Sequence, residues 1–263
     1  MLGAIAGDVI GSVHEKAGTK TTHFPLFPPK ARFTDDTVLS VAVADVLLNG
    51  GDYTSAFHDY YHRYPAAGYG GTFVKWAQDR QRAPYGSWAN GSAMRVAPVG
   101  WAFDTLPDVL NEAERSAAVT HNHPDGVTGA QAVAAAVFLA RTGKTKDQLR
   151  TDLQGLFGYD LSGTVAGLRP SYKFDVSCAG SVPQSLVAFL DSTGFEDAVR
   201  LAISFGGDAD TMAAIAGAVA EAFYGGVPAA IAQPALARLD DPLRGVVTAF
   251  RARFLINDQG PIS

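Results

Sequence analysis

Residues 32–48 read "RFTDDTVLSVAVADVLL". From Val38 onward the run is apolar nearly all round, with Asp45 set on an otherwise apolar cylinder. That pattern describes a helix enclosed by other helices rather than one lying on a surface. Its start is unusual, because Asp35 and Asp36 stand side by side between Thr34 and Thr37. Aspartate and threonine cap helices well, and a carboxylate in the first turn gains ~0.3–1 kcal/mol from the helix dipole. Capping accounts for one acid more easily than for two adjacent acids that repel each other. A bound cation accounts for both.

Working outward, helical patterns dominate. Residues 53–64 follow Asp52 as N-cap. Residues 127–141, "VTGAQAVAAAVFLAR", are alanine-rich and apolar on every face, so this helix is expected at the centre. Further helices are expected at 146–157, from Ser181 with Pro183 in the first turn, at 195–205, from Thr211 with Gly225 and Gly226 as C-caps, and at 240–254. "GAIAGDVIG" puts Gly3, Gly7 and Gly11 on one face of a first helix; its spacing is not that of a dinucleotide-binding loop. Only "SYKFDVS", 171–177, alternates as a strand does. Residues 18–33 form a long proline-rich loop, a length usually tied to function or movement. The span 1–263 is read as one all-α domain, a compact orthogonal helical bundle.

Composition bounds the function. The charged fraction is 18% and the apolar fraction 47%, as in globular proteins. A net charge of −5 argues against a duplex nucleic-acid binder. The single cysteine, Cys178, allows neither an internal disulfide nor a thiolate zinc site and is read as structural. The first residues lack a basic region and Asp8 interrupts their apolar stretch, so no signal peptide is read there. No stretch is long and apolar enough to span a membrane. A cytoplasmic monomer is expected.

A second acidic helix start, "FGGDADT", occupies residues 205–211. Each start alone is a serviceable cap. Together they put four aspartates ahead of two very apolar helices, with Arg32 as the local base, and unpaired carboxylates near a core are costly. Carboxylates and threonine hydroxyls are hard oxygen donors suited to Mg²⁺, Mn²⁺ or Ca²⁺ rather than zinc. Four carboxylates neutralise two divalent ions, a recurrent catalytic pairing.

"TDDT" with "GGDADT", in order with "GDVIGSVHE" (7–15), "GYGGTF" (68–73), "GSWANGSAMRVAP" (86–98), "THNHP" (120–124) and "SVP" (181–183), resembles the ADP-ribosylglycohydrolases, the group that includes dinitrogenase-reductase-activating glycohydrolase. The matches run from residue 3 to about residue 226. The resemblance implies an all-α fold of that type, a binuclear Mg²⁺ or Mn²⁺ centre, and release of ADP-ribose from ADP-ribosylated proteins or peptides. It implies that Thr34, Asp35, Asp36, Asp208, Asp210 and Thr211 hold the metals, with Asp210 bridging, and that Glu15 and Asp36 act in catalysis. "GSVHE" is similar to the segment carrying the flap glutamate of the serine-type branch, which cleaves O-linked ADP-ribose.

By the same resemblance, Gly70, Gly71 and Thr72 meet the diphosphate at a helix start, where backbone N–H groups bind anions. Gly86, Ser87, Trp88, Asn90 and Met94 line the nucleotide, with Trp88 as a stacking face where the branch has tyrosine. His121 touches the ADP-ribose. His123 is read as structural, with Pro124 ending any helix there. Asp8 is read as a partner of the ligands or a packing contact, and Asp45 as a bond acceptor. His58 and His62 lack the glutamate of a zinc-protease motif and are read as structural or solvated. Three alternatives stay open: cleavage of N-linked ADP-ribosyl-arginine, a catalytically idle ADP-ribose-binding module, and a Mg²⁺ phosphohydrolase.

Overall fold

The computed structural model describes residues 1–255; residues 256–263 of the expected domain span lie outside the described residues. Among the described residues fifteen helices follow one another. They are α1 (Leu2–Gly11), α2 (Asp35–Asn49), α3 (Tyr53–Arg63), α4 (Gly71–Gln78) and α5 (Gly91–Met94). Next come α6 (Val99–Ala102), α7 (Leu106–Ala118), α8 (Pro124–Arg141), α9 (Lys146–Phe157) and α10 (Val165–Leu168). The last are α11 (Cys178–Asp191), α12 (Phe195–Ile203), α13 (Ala209–Phe223), α14 (Ala229–Leu236) and α15 (Asp241–Phe254). The architecture is all-α, as expected, and one hydrophobic cluster runs from Met1 to Phe250.

The two most apolar helices lie where their patterns require. Helix α13 is buried from Ala209 to Ala222 and packs against α1, α8, α11 and α12. Helix α8 touches α5, α6, α7, α9, α11 and α13. The α1–α13 contact is closest of all, and the glycine face of α1 makes it so. A Cβ placed on Gly7 would stand 2.1 Å from the Ala213 carbonyl oxygen, and one on Gly3 equally close to that of Gly217. The two backbones therefore touch, and only hydrogen fits between them.

Three local expectations need correction. Residues 171–177 form no strand: a lone antiparallel bridge joins Ser177 to Ala89. Asp175 Oδ1 accepts the Ser177 N–H (2.7 Å) and Ser177 caps α11, which turns the chain out of any ladder. Accordingly α11 begins at Cys178, not Ser181, and Pro183 lies inside it. Pro124 opens α8 instead of ending a helix, because proline in a first turn lacks only an N–H that has no helical partner anyway. His123 caps that turn, its Nδ1 accepting the Asp125 N–H at 3.1 Å. The expected end of α13 is found, with Gly225 and Gly226 at φ +76° and +135°.

Two glycine substitutions test this packing in opposite directions. Gly7→Ala should destabilise the protein by about 1–3 kcal/mol or more, since the displaced neighbour is backbone. Gly155→Ala, facing open space on α9, should stabilise by roughly 0.5–1 kcal/mol. Denaturant midpoints check both, and a neutral Gly7→Ala would contradict the close approach.

Candidate active site

The α1–α13 contact carries Asp8, on α1, to the start of α2. Its carboxylate caps that helix from outside. Oδ2 accepts the N–H groups of Thr34 (2.9 Å) and Thr37 (3.1 Å) and the Thr37 hydroxyl; Oδ1 accepts the Thr34 hydroxyl at 2.7 Å. Thr34 in turn is the N-cap of α2, accepting the Asp36 N–H. Capping is thus done by Asp8 and Thr34, which leaves Asp35 and Asp36 free of that duty.

The second acidic start meets the first. One carboxylate oxygen each from Asp8, Asp36 and Asp210 lie within 4.8 Å of one another, all buried. Thr34 and Thr211 each place a hydroxyl 3.4 Å from Asp36 Oδ2. Asn90 Nδ2 donates to Asp208 Oδ2 at 2.8 Å. Asp36 Oδ1 is buried with no hydrogen-bond partner among the described residues. An orphaned carboxylate oxygen amid hydroxyls and carboxylates fits a hard divalent cation.

Electrostatics show what the acids cost one another. Burial, then the Asp210 charge, raises Asp8 to about 7, and the same two causes raise Asp35 to about 8. Asp36 and Asp208 are pushed well above the usual carboxylate range by burial first and Asp210 second. Glu15, half-buried in the segment after α1, is raised by burial and by the nearby Asp210.

The acids line a cleft of about 350 Å³. Glu15, Thr34, Asp35, Asp36, Asp208, Asp210 and Thr211 all face it. Gly70, Gly71 and Thr72 from the start of α4 line it too, as do Ser87, His121, Asn90, which donates to Asp208, and Met94, which lies beside Thr211. Gly86 and Trp88 are not among its walls. Gly86, at φ +69°, turns the chain and donates its N–H to Asn122. Trp88 is 50% exposed beside the mouth. Several walls had not been singled out in the sequence. Phe174, 52% exposed, and Val176 line the mouth from the 171–177 segment, whose alternation marked a one-sided contact but not a strand. Tyr85 and Arg95 line the cleft as well.

Arg95 is fully buried; Nη2 donates to Ser116 O (3.1 Å) and Thr120 Oγ1 (2.8 Å), while Nε and Nη1 have no partner among the described residues. Its guanidinium lies 4.2 Å from the Phe57 ring centroid. Burial lowers it to about 10, so it stays cationic at neutral pH. Burial and Arg95 together hold His121 well below the usual imidazole value, hence neutral. The cleft thus joins buried acids, a buried cation and a helix start whose N–H groups can meet an anion.

Other candidates fall to structural duties. Burial pushes the Cys178 thiol up to about 12, and its sulfur lies 3.2 Å from Ala89 O. The His58 ring packs 4.2 Å from that of Trp76, and His62 Nδ1 meets His58 O. Asp45 accepts from Tyr60 Oη and Asn49 Nδ2.

The comparisons with known proteins identify the chain as a glycosidic-bond hydrolase. The chain belongs to the ADP-ribosylglycohydrolase family, whose model matches residues 1–259. It is 28% identical to ADP-ribosylhydrolase ARH3 of Bos taurus, over 86% of this chain and 84% of that protein. It is 27% identical to the Homo sapiens ARH3, with the same coverage. With ADP-ribosylarginine hydrolase Tri1 of Pseudomonas putida the identity is 25%, over 86% of this chain and 69% of the relative. A solved structure described as an ADP-ribosylglycohydrolase-related protein complex superposes with a TM-score of 0.68 at 26% identity, covering 97% of both chains.

The raised carboxyl values carry a sign. A buried acid whose folded value exceeds the unfolded one, 3.8 for aspartate, binds more protons when folded, so its ionisation destabilises the fold as pH rises. Chelator-treated protein should therefore lose thermal stability between about pH 4 and pH 8, the interval bounded by the unfolded value and that of Asp35. Added Mg²⁺ or Mn²⁺ should raise the melting temperature more at pH 8 than at pH 5, where protons compete. Equal shifts at both values would contradict the cation site.

Proposed function

We propose that residues 1–263 act as one catalytic domain, a divalent-metal-dependent hydrolase that releases ADP-ribose from protein side chains, of the O-linked, serine type. The observation that carries this is the cleft of about 350 Å³, lined both by buried acids and by a helix start that can meet an anion. Asp35, Asp36, Asp208, Asp210, Thr34 and Thr211 hold two divalent ions, Mg²⁺ or else Mn²⁺. When bound, such a pair supplies positive charge for ribose hydroxyls and for an attacking water.

The protein supplies the rest. The start of α4, with Ser87 and Asn90, binds the diphosphate in the field of Arg95, and His121 stays neutral and contacts the ligand. Met94 packs below, its sulfur 3.9 Å from the Thr211 hydroxyl. Trp88 offers a stacking face to the adenine. Glycosidic cleavage passes through an oxocarbenium-like transition state that needs a proton on the leaving oxygen and a base for the water. Glu15, whose carboxyl is raised by burial and by the Asp210 charge, holds and moves that proton, and Asp36 helps to orient the water. The O-linked reading is supported by the place of Glu15 in "GSVHE". A second reading, cleavage of ADP-ribosyl-arginine, is favoured by the likeness to Tri1. A soluble cytoplasmic monomer with neither nucleic-acid nor membrane partner completes the proposal; no described helix is long and apolar enough to cross a membrane.

Glu15→Gln should lower turnover of an ADP-ribosylated peptide by roughly 10²–10⁴-fold while leaving ADP-ribose affinity nearly unchanged by calorimetry. Equal loss of binding and turnover would remove Glu15 from the acid–base role. Asp36→Asn and Asp210→Asn should each abolish the metal-dependent part of the activity, and unchanged turnover in either sinks the metal assignment.

A further inference from the structure

Lys20 lies five residues beyond Glu15 on the segment between α1 and α2. Its ammonium donates to three main-chain carbonyls: Arg169 at 2.9 Å, Tyr172 at 2.6 Å and Phe205 at 2.5 Å. An ammonium has three N–H groups, and each has an acceptor. Those acceptors belong to different parts of the chain. Arg169 and Tyr172 follow α10 and lead into the stretch that sets Phe174 and Val176 at the cleft mouth. Phe205 follows α12 and immediately precedes Gly206, Gly207 and Asp208.

Packing reinforces the junction. At Gly206, φ +66°, a Cβ would stand 2.9 Å from Gly18 O and 3.0 Å from Lys20 Cε. A Cβ on Gly207 would stand 2.5 Å from Tyr172 Cε1, and the Tyr172 and Phe205 rings lie 5.2 Å apart. The turn that delivers Asp208 is thus sandwiched between the Glu15 segment and Tyr172. Farther along, Arg200 holds Thr22 O and Phe24 O, and Arg238 holds Ala31 O. Those two anchor the distal part of the loop to the helical body, whereas Lys20 anchors its start to the segments that lead to Phe174 and to Asp208.

We propose that Lys20 is a positioning residue: its ammonium fastens the Glu15 segment to the mouth loop 169–176 and to the turn 205–208, setting Glu15 over the cleft in register with both. The proposal rests on the reading of Glu15 as the acid–base group. It also explains the residue type. Three carbonyls around one nitrogen suit a compact ammonium with rotatable donors, and a planar guanidinium does not reproduce that geometry.

The test uses full-length protein carrying Lys20→Met, Lys20→Arg, or Lys20→Cys aminoethylated at its thiol; Cys178, being buried, is shielded from that reagent. Lys30→Met, an exposed lysine on the same loop, is the control. In hydrogen exchange of the ligand-free protein, Lys20→Met should speed exchange in residues 12–24 and 169–177 together, and Lys30→Met in neither. Turnover should fall about tenfold or more in Lys20→Met, with ADP-ribose affinity within about twofold. Aminoethylation should restore it and Lys20→Arg should not. Wild-type turnover in Lys20→Met, or faster exchange confined to residues 12–24, overturns the proposal. If the wild-type protein itself hydrolyses no ADP-ribosylated peptide, the Glu15 reading fails, while the exchange measurement still decides whether Lys20 joins the two segments.

Discussion

The backbone contact between α1 and α13 is the constraint on which the site depends. Glycines at 3, 7 and 11 let the two helices touch, and that contact fixes Asp8 relative to Asp210. Asp8 then caps α2 across the gap, its carboxylate receiving N–H and hydroxyl donors from Thr34 and Thr37. A side chain of any size on the glycine face would push α1 off α13 and open the acidic cluster. The small residues are therefore part of the chemistry, although none of them touches a ligand.

The cleft brings two costs together. Its buried carboxylates are raised by burial first and by one another's charge second, and hard cations relieve that cost. A buried guanidinium, Arg95, keeps two nitrogens without partners among the described residues. Neither arrangement favours stability by itself.

Much of this was legible in the sequence because the strongest signals were local. All-round apolar runs marked α2, α8 and α13, and the glycine spacing of α1 announced a close neighbour. The paired acidic starts implied a shared ligand because capping needs fewer acids than the chain provides. What was not legible depended on partners distant in sequence. Arg95 sat inside a quoted motif, yet its weight comes from Thr120, Ser116 and Phe57. Phe174 and Val176 alternate with polar neighbours as a strand would, because each faces a cleft on one side and water on the other. Ser181 and Pro183 misplaced the start of α11, since the Ser177 cap four residues upstream outweighed the proline. Lys20 gave no signal at all, as its partners are main-chain carbonyls that any residue carries.

The most direct test of the central claim is product analysis with serine- and arginine-ADP-ribosylated peptides, with and without chelator. The account predicts free ADP-ribose from the serine-linked peptide in the presence of Mg²⁺ or Mn²⁺, and none once the metal is removed. Release of AMP, or chelator-resistant release of ADP-ribose, would contradict it.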